Sequence, residues 1–578
     1  MGSLKNMGAV VRATRWKAEN LFFTSVLVVL GFLIIYPLAL LIVNSLQHHG
    51  SGTAATFGLE GWRIALTEPG MRDALINTVS ITLTRQLIAF PIALYLAWLL
   101  ARTDIPGKDA LEFFFWIAFF LPPLAVIQGW ILLIDPEYGL VNQLLAKLPF
   151  VGKDFRFDIY SWWGIVWVHL MVNTITLKVV LLTPAFRNMD ATLEEVSQIC
   201  GANRIVTLIR IVVPIMAPTI LVVLLMGVIR SLEAFEVELI LGAPRRIDVY
   251  STKIYRLVSQ QPPLFAPATA LSVIVLVLML LLVVLQRMYT TRHRFTTITG
   301  QFKGRLVRLR KFRWPAFLVV SILVFLLTIV PVAFLLMGTF MRIYGFFNLT
   351  HLWTLVHWET LLNDAIFLRS FLNTIILASG TALLGLFVYS AVAYIIVRTR
   401  FWGRAALDYI SWILFALPGI ILGLGYLWLF IGVPFFQPLY GGIGVLILAS
   451  MLSALTLGVQ ILRGAMAQLS FDLEEASWVV GGSKWKTCCH VLLPILAPTL
   501  LLVGVVTFVS VARNVSHLAL LVSSNNRPLS MLQLDYMIEG RYEVASVVGV
   551  IVVLMTVGVA LVARLFGLHL GVRSAGET

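Results

Sequence analysis

Two polar stretches of one spacing interrupt a chain that is otherwise mostly apolar. The first runs Glu194-Glu195-Val196-Ser197-Gln198-Ile199-Cys200-Gly201 and closes on Ile211-Val212-Val213-Pro214. The second, 280 residues later, runs Glu474-Glu475-Ala476-Ser477-Trp478-Val479-Val480-Gly481 and closes on Val491-Leu492-Leu493-Pro494. In both, Gly follows the second Glu by six and Pro follows Gly by thirteen. No nucleophile elbow and no reactive cluster accompanies either stretch, so the chemistry on offer is recognition. Asp190 or Thr192 can cap a short helix; Thr192 with Glu195, and Asp472 with Glu475, have capping-box spacing. Gly201 and Gly481 suit the left-handed turn that ends such a helix. A second short helix then leads to Pro214 or Pro494, each expected to open a membrane span. Leu193, Val196, Ile199 and Cys200 share one side of the first helix, and an apolar helix side of this kind enters a groove on a partner protein. The bland alternative is a solvated loop copied by duplication, but identical spacing in the most polar part of each copy argues for a shared task.

Other polar groups lie near apolar runs. Glu233, Glu236 and Glu238 end one such run, and Arg513 takes the place equivalent to Glu233 in the second copy. Ionisable groups at membrane depth mark solute paths by default, so Glu233, Glu236 and Arg513, with Pro418 and Gly419, are candidates for a translocation path or gate. Arg230 is a weaker candidate, and Lys178, within the fourth apolar run, either snorkels or faces a cavity. Gly419-x-x-x-Gly423-x-Gly425 reads as close helix packing. The three cysteines, Cys200, Cys488 and Cys489, sit in or beside the polar stretches, with only His490 near. Reduced thiols are expected there, with no metal site and no disulfide framework. No Gly-x-x-x-x-Gly-Lys-Ser/Thr occurs, so the chain has no phosphate-binding loop of its own. His-Glu-x-x-His is absent too. No catalytic residue and no bound cofactor is expected.

These groups must be positioned by membrane helices. Of 578 residues 59% are hydrophobic and 12% charged, with a mean hydropathy of +0.93; soluble domains carry about 25% charged residues. The composition is that of an all-α integral membrane protein. Lys and Arg number 43 against 28 Asp and Glu, a net +15. Basic residues held on cytoplasmic loops account for that excess without any nucleic acid. A crossing needs about 20 apolar residues, and twelve runs qualify. They fall near 22–44, 75–100, 111–134, 160–184, 215–235 and 267–288, then near 316–339, 371–397, 409–432, 441–465, 496–520 and 544–565. Prolines inside them are no veto, because neighbouring helices can satisfy the freed carbonyls.

The run starting at Leu21 is too long for a signal-peptide core and lacks a small-residue cleavage site. It reads as a retained first span behind a cytoplasmic segment, residues 1–20. Arg287 to Arg313 holds nine basic residues and no acid, so a cytoplasmic linker is expected at 290–314. Six crossings from a cytoplasmic N-terminus return to that same side, and both polar stretches, about 190–214 and 470–494, then face the cytoplasm. The halves, 21–289 and 315–578, repeat throughout. Asn77-Thr78 answers Asn373-Thr374, Arg102-Thr103 answers Arg398-Thr399, and Leu121-Pro122 answers Leu417-Pro418, all at an offset of 296. The polar stretches share an offset of 280, so the first half holds 16 extra residues, placed in the outer loop Asp135–Asp158. Two six-helix repeats of parallel topology can pack about an axis along the membrane normal.

At this point the polar stretches resemble the "EAA" loop of permease subunits in binding-protein-dependent ABC importers: Glu-Ala-Ala, three residues, Gly, nine residues, then Ile-x-Leu-Pro. The spacing matches twice. The Ala positions depart, with Val196 and Ser197 in one copy and Ala476 and Ser477 in the other, and Val213 replaces the Leu before Pro214. The resemblance implies a type I importer permease fold in a bacterial inner membrane. It implies that Glu194, Glu195, Gly201 and Pro214, with Glu474, Glu475, Ala476, Gly481 and Pro494, couple the chain to a homodimeric ATPase carrying ATP and Mg. It implies a periplasmic binding protein as donor. The fused twelve-span layout most resembles the ferric-iron permeases; related fused permeases carry thiamine or phosphonates. An ion-driven secondary transporter is the rival class, and it would not need these loops.

Overall fold

The computed structural model describes residues 2–48, 56–149, 155–187, 196–197, 199–292 and 307–565. Apart from a two-stranded antiparallel pair, Gln47–His48 with Thr56–Phe57, the elements are helices. Among the described residues, ten helices are long and apolar enough to cross a membrane. They are Glu19–Ser45 (span 1), Met71–Arg102 (span 2), Trp162–Arg187 (span 4), Ile209–Leu232 (span 5), Phe265–Leu285 (span 6), Arg310–Phe340 (span 7), Ala365–Arg398 (span 8), Ile443–Gln468 (span 10), Lys484–Arg513 (span 11) and Tyr542–Leu565 (span 12).

The two remaining apolar runs, near 111–134 and 409–432, are broken. In span 3, Lys108–Phe120 and Pro123–Ile134 meet at 99°. A residue before proline is pushed out of the α region, and here two prolines follow one another. Leu121 and Pro122 are therefore both extended, with ψ of 136° and 134°. Pro123 then opens the next helix, where its missing N–H is no loss. Span 9 breaks the same way between Arg404–Ile413 and Gly419–Gly432, with Pro418 extended at ψ 141°.

A second difference concerns Pro214 and Pro494. Each was expected to open a span. Instead the short helix before it (Arg204–Thr207, Lys484–Thr487) runs on through a π turn (Leu208–Val212, Cys488–Leu492) into the long helix. A widened turn accommodates a proline that cannot donate to the ladder.

The repeated Asn-Thr pairs have a matching task in both halves. Thr78 Oγ1 accepts from the Tyr250 amide at 3.0 Å and Thr374 Oγ1 from the Leu529 amide at 2.8 Å. Asn77 and Asn373 donate to carbonyls of the same loops, those of Asp248 and of Asn525 and Arg527. Each pair thus fixes the start of a short helix, Tyr250–Ser259 or Leu529–Ile538. The surplus of the first half lies between Ile134 and Trp162, where Asn142 ties the loop by bonds to Asp135 and Phe157.

The halves are interlocked. Span 1 packs on span 9 of the other half: Tyr426 donates to the Leu33 carbonyl at 3.1 Å, and a Cβ on Gly425 would meet Pro37. Span 7 packs on span 3, where Gly129 faces the Pro331 backbone. The residues after span 6 join in, as Val307 donates to the Arg102 carbonyl and Leu309 to Asp104, both at 2.7 Å.

Candidate functional site

The two polar stretches fold alike where they are described. Glu194, Glu195 and Asp190, Thr192 and Leu193 lie outside the described residues. Gly201 and Gly481 have φ of +83° and +88°, the left-handed region that costs glycine least. In the second copy, helix Asp472–Val479 ends with Gly481 donating to Trp478 and Gly482 to Ser477, the paired bonds of a Schellman turn. In the first, Ala202 donates to Ser197 in the same way.

A hydroxyl pair then staples the two short helices of each copy. Ser197 meets Thr207 at 2.9 Å and Ser477 meets Thr487 at 2.8 Å. Sequence reading treated these serines as departures from an Ala-Ala pattern; Thr207 and Thr487, 280 apart, were the available signal. The capping box expected at Asp472 is not formed. Phe471 occupies the N-cap position, and it is Ser470 that accepts from the Asp472 amide.

Each knob leaves large apolar side chains uncovered among its charged ones. Ile199 is 83% exposed and its counterpart Val479 87%; Val480 and Trp485 are exposed as well. Glu475, Ala476, Pro214 and Pro494 are exposed beside them. Glu474 points the other way and is buried: its Oε1 lies 3.4 Å from Arg398 Nε. Lys484 of the second knob pairs with Glu19 at the start of span 1 at 2.7 Å, so knob and N-terminal segment share one end of the bundle. Cys200, Cys488 and Cys489 are free thiols.

The candidate path residues converge where the halves meet. Arg513 ends span 11, and its guanidinium donates to the Phe119 carbonyl and, at 3.0 Å, to that of Leu121. It therefore satisfies carbonyls freed by the break in span 3 of the other half. It also lies 5.4 Å from the Phe119 ring, while Arg230 lies 5.4 Å from the ring of Phe415, the counterpart of Phe119. Each half thus sets an arginine against the broken helix of the other. Arg230 is held by Glu233 at 2.8 Å. Glu236 lies near Arg513 and the Val515–Ser516 segment that follows it. Gly419 and Gly423 bring span 9 onto that same segment, since a Cβ on Gly423 would stand 2.9 Å from the His517 carbonyl. Buried Pro418 makes the break that allows this approach.

A second polar group lies inside the first half. His169 and Glu238 are buried 2.7 Å apart. Arg85, Gln86 and Lys178 are buried around them, with Gln86 donating to the Gly227 carbonyl and Lys178 to that of Thr174. The counterpart places in the second half hold Thr381, Ala382, Ala449, Gly458 and Leu518, and a single neutral pair, Ser450 with His517 at 2.8 Å, bridges the same two elements. Of the first group, sequence reading named only Lys178 and Glu238. Arg85 and His169 were legible as ionisable residues inside apolar runs.

A model of the family described as "Binding-protein-dependent transport system inner membrane component" matches residues 89–294 and again 382–571. The chain belongs to that family. It carries the family domain twice, and it is a multi-pass inner-membrane permease component of the ABC importer class. The putative ferric transport system permease protein FbpB 1 of Haemophilus influenzae is 27% identical over 521 residues, 87% of this chain and 78% of that one. The ferric transport system permease protein FbpB of Actinobacillus pleuropneumoniae is 27% identical over 552 residues, 93% and 76%. Among solved structures, a chain of a bacterial ABC transporter that imports the acidic polysaccharide alginate aligns with a TM-score of 0.41 and 21% identity, covering 50% of this permease and 99% of itself.

Proposed function

We propose that this permease passes ferric iron from a periplasmic binding protein to the cytoplasm, driven by an ATPase dimer docked on its two knobs. The observation that carries the reading is the pair of stapled, glycine-closed knobs with bare apolar tips. Exposed apolar residues in such a pattern mark a docking surface. Both knobs face the cytoplasm in this reading, with the N-terminal segment and the linker. Glu194, Glu195, Gly201, Pro214, Glu475, Ala476, Gly481 and Pro494 form or shape that surface, while Glu474 lies buried beneath it against Arg398. ATP and Mg sit on the partner; this chain hydrolyses nothing.

ATP closes the ATPase dimer and draws the knobs together. The halves rock, and the contacts of Arg513, Glu236, Arg230 and Glu233 at the two span breaks open or close the path. ATP shifts that equilibrium only by its differential affinity for the two states. Iron as cargo is supported by the ferric permeases that cover most of the chain. The test is uptake of labelled ferric iron into proteoliposomes holding permease, ATPase and iron-loaded binding protein. Uptake should require ATP hydrolysis. Transport of thiamine or a phosphonate in place of iron would change the cargo alone, whereas uptake without nucleotide would favour an ion-driven transporter.

A further inference from the structure

Arg398 is the last residue of span 8, yet its side chain is 1% exposed. Its Nη2 donates to the carbonyls of Met466 at 2.7 Å and Leu469 at 2.8 Å, where span 10 ends. Its guanidinium carbon lies 4.3 Å from the centre of the Phe471 ring, just before the knob helix. Its Nε faces Glu474 Oε1 at 3.4 Å, inside the first turn of that helix. One guanidinium therefore touches the end of span 8, the end of span 10 and the start of the knob.

The contacts differ in kind. The bonds to span 10 are short and directional. The contact with Glu474 is ionic only, since neither Arg398 Nε nor Glu474 Oε1 makes a hydrogen bond. A Coulomb attraction between buried charges is strong and weakly dependent on angle, whereas a hydrogen bond fails when its angle does. Such a pair holds the helix at a fixed distance while letting it tilt.

We infer that Arg398 is a positioning residue that transmits movement of the second knob to spans 8 and 10. Arg398 and Glu474 together act as a pivot. When the docked ATPase pulls the knob, Glu474 pulls on Arg398, and Arg398 pulls on the helix ends bonded to it. The inference rests on the importer reading above. Arg102 ends span 2 in the same manner and is equally buried, so the first half presents an arginine at the matching place.

The experiment uses the whole complex in proteoliposomes with loaded binding protein. Glu474→Gln, Arg398→Gln and Arg398→Lys are compared for ATPase co-purification, ATP hydrolysis and solute moved per ATP. Glu474→Gln and Arg398→Gln should still co-purify the ATPase and hydrolyse ATP, but solute per ATP should fall at least about tenfold. Arg398→Lys keeps the charge and should retain more than half of the coupling. Normal coupling in Glu474→Gln overturns the pivot. Loss of ATPase co-purification in that variant also overturns it, because Glu474 would then be a docking contact. Should either Gln variant fail to fold, Arg398→Lys decides: coupling reduced as far as in an uncoupled chain contradicts a role of charge. Failure of the importer reading is distinguishable, since the unaltered complex would then move solute without ATP.

Discussion

At the scale of single residues, the turn glycines make a clean test because nothing surrounds them. A Cβ at Gly201 or Gly481 meets no atom within 4 Å, so substitution costs backbone strain alone, roughly 1–2 kcal/mol for a left-handed L-residue. Gly481→Ala should speed amide exchange across 472–480 while the spans stay protected, measured by hydrogen-exchange mass spectrometry. The buried His169–Glu238 pair makes a heavier prediction. His169→Ala leaves the buried Glu238 carboxylate short of one hydrogen bond with Arg85 still beside it, a loss of roughly 1–3 kcal/mol that a lower midpoint of thermal unfolding should show. The turn glycines and the acidic cluster were legible from type and spacing. The roles of individual side chains were less so: Glu474 was read as a surface contact, but whether a residue on a short helix faces solvent or its own chain depends on what packs beneath. Arg398, far away in sequence, is what turned it inward.

At the scale of elements, the prolines taught most. Sequence patterning counts apolar residues, and 111–134 and 409–432 have enough of them for a crossing. Pattern does not report backbone direction, and the Leu-Pro steps bend both runs. That bend is compensated from outside the element, by Arg513 of the opposite half, which no local signal announces. Packing between elements is just as specific. A Cβ on Gly129 would stand 2.7 Å from the Pro331 Cα and 2.8 Å from its carbonyl carbon, whereas one on Gly558 meets nothing. Overpacking costs about 1–3 kcal/mol when side chains can move, and backbone cannot. Gly129→Leu should therefore separate span 7 from span 3 and lower the thermal midpoint of the purified permease sharply. Gly558→Leu should leave it unchanged.

At the scale of the whole molecule, the duplicated sequence foretold two six-span repeats, and the family domain is present twice. Interlocking of the halves through spans 1 and 7 was not legible, because apolar faces carry no address. The asymmetry between a charged cluster in one half and Ser450 with His517 in the other shows that duplicated scaffolds have been filled differently inside. Sidedness can be read with a native probe. Cys200 is exposed at the tip of the first knob, so a membrane-impermeant maleimide should label it in inverted vesicles and not in intact cells. Labelling from the outside would place the knobs on the wrong face.

The central claim is that two knobs on one chain grip two copies of an ATP-hydrolysing partner, and native mass spectrometry of the purified complex tests it most directly. The permease should carry two ATPase chains. The double variant Gly201→Val with Gly481→Val, still folded and membrane-inserted, should carry none. A double variant that keeps both ATPase chains, or an unaltered permease that binds none, would contradict the account.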